Sequence, residues 1–463
     1  MVPIRNLWQR TTELLGDGPV RRDAKSAFYN VLNYVSQPLL LLIAIPIIVR
    51  SLGLDKFGIW AVVNSVGWGF AALGIGIGDA ATKYIAACRG RSDYPGAARI
   101  FEATVSLSIT TALIVGGIVF VAANLIARHA FHMESTDRTL ATHAIRAGAV
   151  LLAMRWIEAA YTSTLSAYER YDITARTCIA IKSLAIISMV VLAVCHYGVV
   201  AILLSTSACT FVGLLLLAWQ VRRLNPHTSL WPVVDFAGWR HLASFGAFSS
   251  IQSIANLIFM QADRVIVGAV IGPAAAGAYS ICLQLTQPIQ IISVQAFNFV
   301  FPRISHKMEA GEHEAAHRFV RTMLALSIGV TLLLSLPLLL LGKPLLSLYM
   351  GAEFARLHYS VLPVLTIAFA TVSISVIPYY ALLGSGQVRF VSLLNLVAGI
   401  VAAACALWWT PHYGTMGAAF SRVVYGCVAC GSFLRLAKTL KTLKTFKLPE
   451  PELLEAAPSL MEP

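Results

Sequence analysis

Charge is what this sequence has least of. Asp, Glu, Lys and Arg make up only 12% of its 463 residues, about half the share of a soluble domain, which excludes a water-facing surface of ordinary size. No compact apolar core with a small-residue cleavage site follows Arg5, Arg10, Arg21, Arg22 and Lys25, so the first 25 residues do not read as a secretory signal. Most of the eight cysteines lie in apolar runs, and the CxxC of Cys427 and Cys430 has no second pair; they read as small hydrophobes, not metal ligands. "GIGIGD" (74–79) sits inside an apolar run without a preceding strand or a Walker lysine, so no nucleotide site is visible.

Present instead is hydrophobicity, at 57% of residues. A membrane-spanning helix needs about 20 apolar residues. Apolar segments fall at 26–49, 58–88, 99–127, 139–167, 174–196, 198–221, 241–268, 274–302, 319–342, 357–385, 388–410 and 414–437. The expected fold is an all-α integral membrane protein of about 12 transmembrane helices. Basic residues in the connections, with Arg170, Arg176 and Lys182 counted on the first side, divide 24 against 6 between the two sides, placing both termini in the cytoplasm. The formal charge of +13 then reflects topology and contact with anionic lipid, and nucleic acid is not a required partner.

An internal repeat underlies the spans. "LGLDKFGIW" (52–60) and "IGPAAAGAY" (271–279) share G-x4-G-x-aromatic, with Gly53 and Gly272 set 219 positions apart. Asn30, Asn33 and Gln37 share one helix face, and the same shift carries them to Ser249, Gln252 and Asn256. Gln284, Gln287, Gln295 and Asn298 form another stripe, within about 80° on a helical wheel. For any single residue the plainer reading is polar glue between helices. Repeated stripes favour a wet cavity between two pseudo-symmetric six-helix lobes. The expected organisation is a leader (1–25), an N-terminal lobe (26–222), a linker (223–240), a C-terminal lobe (241–437) and a cytoplasmic tail (438–463).

"IVRSLGLDKFGIWAVVNSV", "GIGDAATKYIA", "TSTLSAYERYDITA", "QADRVIVGAVIGPAAAGAYSICLQL" and "AFNFVFPRIS" resemble the Wzx-type polysaccharide and O-antigen flippases of the MOP (MATE-like) exporter superfamily. The resemblance runs through both halves in order. It implies a V-shaped alternating-access transporter, not an enzyme, in the bacterial inner membrane. The implied substrate is an undecaprenyl-diphosphate-linked glycan moved from the cytoplasmic to the periplasmic leaflet. No cofactor is implied beyond a coupling H+ or Na+; the implied partners are membrane lipids, a polysaccharide polymerase and chain-length proteins. A MATE-type drug or cation antiporter and a flippase for the peptidoglycan precursor are the alternatives.

A diphosphate in a low-dielectric site requires cations. Arg155 and Arg146 of the fourth span are the candidates, and Arg155 lies deeper. Nine residues apart, they point to opposite sides of the helix. Glu158, at i+3 from Arg155, makes a structural ion pair the competing reading. Asp79 and Lys83, at i and i+4, are candidates for gating or ion coupling against a helix-end pair. Asp263 extends the stripe of Ser249, Gln252 and Asn256, and with Arg264 it is expected at the periplasmic rim of the polar cavity, as a gate or lobe contact first and a substrate contact second. "HEAAH" (His313–His317) matches the H-E-x-x-H of zinc proteases, but it sits in a solvated stretch with no third ligand in view. Coincidence is the preferred reading, so Glu314→Ala should leave polysaccharide export at the wild-type level in a complementation assay; loss of export at normal expression would reinstate the protease.

Overall fold

The computed structural model describes residues 19–130, 135–229, 239, 242 and 260–437. Within them the chain is a succession of helices: α1 Pro19–Leu52, α2 Leu54–Gly90, α3 Tyr94–Ala130, α4 Ser135–Ala167, α5 Tyr171–Val194, α6 Gly198–Leu224, and α7 260–270. Then come α8 Pro273–Phe297, α9 Val300–Glu309, α10 His313–Met350, α11 Ala352–His358, α12 Val361–Ile374, α13 Val376–Gly384, α14 Val388–Tyr413 and α15 Thr415–Ala429. Among the described residues, seven helical segments are long and apolar enough to cross a membrane, α3, α5, α6, α10 and α14 among them. Four more, α1, α2, α4 and α8, have 34, 37, 33 and 25 residues, which exceeds the span of a bilayer. Apolar side chains such as Val121, Leu340 and Leu348 stand 75–82% exposed. That is untenable in water and normal against lipid.

Helices α1–α6 pack among themselves, as do α8–α15. The 219-residue shift is visible in the backbone. It carries the first residue of α2, Leu54, onto the first of α8, Pro273, and that of α3, Tyr94, onto that of α10, His313. The breaks recur as well: Gly53 and Gly272 have φ of 85° and 123°, and Ser92 and Gly311 have 59° and 72°. Left-handed backbone ends the helix and reverses the chain at the same point in both halves.

The halves meet where the repeat is most faithful. A Cβ on Gly58 of α2 would lie 1.7 Å from the Pro273 carbonyl oxygen of α8, and one on its counterpart Gly277 would lie 2.8 Å from the Leu54 carbonyl. The two glycines of the shared motif thus abut each other, and only hydrogen side chains permit that approach. Prolines supply a second contact. Pro46 has no N–H to give the Leu42 carbonyl one turn earlier, and the Tyr349 hydroxyl of α10 donates to that oxygen at 2.6 Å. An unsatisfied carbonyl costs several kcal/mol where water is excluded. Gln284 Nε2 of α8 donates to the Pro38 carbonyl of α1 at 2.9 Å. Apolar packing of Ile45, Ile48, Phe57, Ile281 and Leu346 fills the same end of the molecule. Two described residues beyond α6 reach α3: Ser229 N–H donates to Glu102 Oε1 at 2.7 Å, and Trp239 Nε1 to Ser106 Oγ at 2.9 Å.

The C-terminal half is clasped around one ion pair. Asp263 (α7) and Arg422 (α15) are 5% and 3% exposed. Arg422 Nε donates to Asp263 Oδ2 and Nη2 donates to Oδ1 at 3.1 Å. The Tyr279 hydroxyl of α8 donates to Oδ2 at 2.5 Å. The guanidinium also reaches the Met260 carbonyl at 3.2 Å and stands 5.0 Å from the centre of the Phe369 ring of α12. Asp263 faces the packed interior, where a carboxylate needs a resident cation, and Arg422 is that cation. Arg264 has Nη1 3.3 Å from Gln261 Oε1, and its buried Nε has no hydrogen-bond partner among the described residues.

Gly58→Ala should lower the unfolding temperature in detergent, since overpacking costs about 1–3 kcal/mol. Gly67→Ala, whose new methyl meets nothing within 4 Å, should not; equal effects would remove the glycine contact from the account. Asp263→Ala or Arg422→Ala should each destabilise by about 3–5 kcal/mol. In a double-mutant cycle, Asp263→Asn with Arg422→Gln should cost less than the sum of its single changes.

Candidate functional site

Polar groups gather at one place within the N-terminal half. Five helices enclose a cavity of about 50 Å³, and its wall holds Gln37 (α1), Trp60 and Asn64 (α2), Arg155 and Glu158 (α4), Lys182 (α5) and Thr206 and Thr210 (α6). The volume suits a few waters or one compact anionic group, not a sugar chain. Spacing on α4 explains two of the charged members: Arg155 and Glu158 lie at i and i+3, one turn apart. Lys182 approaches from α5, close enough to feel the charges of Glu158 and Arg155. Cys178, one turn before Lys182, lies with Sγ 4.0 Å from Glu158 Oε1. The two threonines turn their hydroxyls to their own helix, donating to the Ile202 and Thr206 carbonyls at 2.8 Å each. The polar character of the cavity therefore rests on two cations, one carboxylate and two amides.

The structure separates other candidates from this group. Arg146 lies on the far side of α4, its guanidinium 5.3 Å from the centre of the Phe120 ring of α3 and its buried Nε without a hydrogen-bond partner. It does not join Arg155, as the nine-residue spacing predicts. Asp79 and Lys83 are exposed on α2, with the Lys83 ammonium 5.6 Å from the centre of the Tyr84 ring. Gln284 is engaged with Pro38 across the two halves; Gln287 and Gln295 are half-buried along α8, and Asn298 is exposed at its end. Asn30 and Asn33 fall on α1, where their side chains are not described, and Ser249, Gln252 and Asn256 lie outside the described residues. "HEAAH" forms the first turns of α10, with Glu314 exposed.

Five members of the cavity wall, Trp60, Asn64, Lys182, Thr206 and Thr210, are not among the site candidates read from the sequence. Counting Lys182 with the loop charges is a misplacement: it lies within α5, eleven positions beyond Tyr171. The signal was available in "CIAIKSLAII", where apolar residues flank the lysine on both sides. An intramembrane cation of that kind faces a partner or a cavity.

Residues 24–308, more than half of the chain, match the family described as polysaccharide biosynthesis protein, and residues 249–408 match the MatE family. The chain is 23% identical to an uncharacterized membrane protein, EpsK, of Bacillus subtilis (strain 168), over 80% of this chain and 74% of that one. It is 25% identical to a putative O-antigen transporter of Shigella flexneri over 40% of this chain and 43% of that one. Among solved structures it resembles the inward-facing conformation of a multidrug resistance MATE family transporter of the MOP superfamily. There the TM-score is 0.74 and the identity 16%, over 90% of this chain and 100% of that one. With a helical fold of MATE type among the described residues, helices apolar enough to cross a membrane and a family match over more than half of its length, the chain belongs to the polysaccharide biosynthesis protein family and is a multi-pass membrane protein.

Proposed function

We propose that this transporter is a flippase for an undecaprenyl-diphosphate-linked oligosaccharide, an O-antigen or exopolysaccharide repeat unit. It turns the lipid from the cytoplasmic to the periplasmic leaflet of the bacterial inner membrane by alternating access, driven by a proton or sodium gradient. The observation that carries this reading is the cavity shared by Arg155 and Lys182. Intramembrane cations that line a cavity mark it as a site for an anionic ligand. A diphosphate supplies paired acceptor oxygens to a guanidinium fork and a point charge to an ammonium.

The rest of the molecule fits the same ligand. The cavity admits the diphosphate alone, so the sugar lies between the halves, near the amides of Gln287 and Gln295 on α8. The prenyl chain stays in lipid. With both termini cytoplasmic and the lobes taken as 26–222 and 241–437, the seam of Gly58, Gly277 and Tyr349 closes the periplasmic end. Release then requires that seam to part. A polymerase and chain-length proteins would receive the product. A cationic drug is a poorer fit, because the carboxylate in the cavity is outnumbered by cations and Asp263 is committed to Arg422.

Arg155→Ala should abolish polysaccharide export at normal protein levels, and Arg155→Lys should retain part of it. Lys182→Ala should reduce initial rates of lipid-linked oligosaccharide translocation in proteoliposomes by about tenfold or more. Wild-type rates in Arg155→Ala would overturn the assignment.

A further inference from the structure

The cavity contains one charge that opposes the ligand proposed for it. Glu158 lines the same wall as Arg155 and Lys182. With Cys178 Sγ 4.0 Å from its Oε1, the carboxylate is directed between α4 and α5 and not toward lipid. The groups facing it from the other helices are neutral: Gln37 from α1, Asn64 and Trp60 from α2, Thr206 and Thr210 from α6. A diphosphate entering this space brings negative charge beside Glu158, and like charges at such range repel strongly. A cavity shaped only for tight anion binding would hold a neutral side chain at this position.

We propose that Glu158 is the resident counter-charge of the anion site, offsetting Arg155 and Lys182 when the cavity is empty and repelling the diphosphate when it is full. The inference rests on the reading that the cavity takes a diphosphate. It gives the carboxylate two effects of physical necessity. Without a ligand, two cations at membrane depth are partly neutralised from within. With a ligand, the same charge weakens the complex, and a transporter must let go of what it binds. Affinity and turnover then respond in opposite directions to removal of the charge, whereas loss of a merely structural residue lowers both.

The test is calorimetric titration of the purified full-length protein in detergent, with inorganic pyrophosphate and with a water-soluble prenyl diphosphate as separate probes. Glu158→Gln should bind at least one probe about tenfold more tightly than wild type and translocate lipid-linked oligosaccharide more slowly. Tightening for pyrophosphate alone identifies a free anion as the ligand, and tightening for the prenyl diphosphate identifies a lipid headgroup. Lys182→Met should weaken binding, and adding Glu158→Gln to it should restore affinity toward wild type. That double variant preserves the charge balance if the single one fails to fold. Unchanged or weaker binding by Glu158→Gln, or no restoration in the double variant, overturns the counter-charge role. Arg155→Ala titrating like wild type overturns the diphosphate reading itself.

Discussion

A charge inside a membrane protein has to be answered by another group, because no water is there to solvate it. Most features of this chain follow from how that requirement is met. In the C-terminal half it is met for Asp263 by protein groups: the carboxylate receives Nε and Nη2 of the Arg422 guanidinium together with the Tyr279 hydroxyl, and Phe369 stands beside the cation. The result is a closed clasp joining α7, α8, α12 and α15. In the N-terminal half the charges of Arg155, Lys182 and Glu158 surround open space instead. Cations outnumber the carboxylate there, the arrangement on which we base the proposed anion site. One sequence repeat thus supports two electrostatic arrangements, a closed clasp and a charged cavity.

The repeat also accounts for how the halves rest against each other. Their contact uses glycine hydrogens against backbone, one tyrosine hydroxyl on a proline-freed carbonyl, one glutamine amide and apolar packing. Among the described residues, no ion pair joins α1–α6 to α7–α15. A seam of short-range contacts with no buried ion pair is stable when closed and carries no large desolvation penalty to part. The proline effect is local and specific: Pro46 disables one hydrogen bond inside α1, and the other half of the molecule supplies its replacement.

Much of the fold was legible from residues alone. The 219-residue shift, first seen in two short glycine motifs, returns in the starts of α2 and α8 and of α3 and α10. Helical periodicity correctly separated Arg146 from Arg155. What stayed hidden depended on contacts between distant residues. The partner of Asp263 lies 159 positions away, and hydropathy contains no term for pairing. The sequence puts Asp263 at the rim of a polar cavity but cannot tell a wet face from one filled by an arginine. Lys182 was misplaced because charge counting assigns a lysine to a connection, while the helix carries it into a polar cavity beside Arg155 and Glu158. The Leu42 carbonyl was foreseeable as an orphan from Pro46, but its donor, Tyr349, was not.

The central claim is that the charged cavity of the N-terminal half receives the anionic end of a lipid-linked glycan. The most direct measurement is a cryo-electron microscopy structure of the transporter in lipid nanodiscs with a prenyl-diphosphate-linked sugar. The account predicts diphosphate density between Arg155 and Lys182, with the sugar directed into the space between the halves and the Asp263–Arg422 clasp intact. Diphosphate density at Arg422, or a bound lipid whose phosphates avoid the N-terminal cavity, would contradict it.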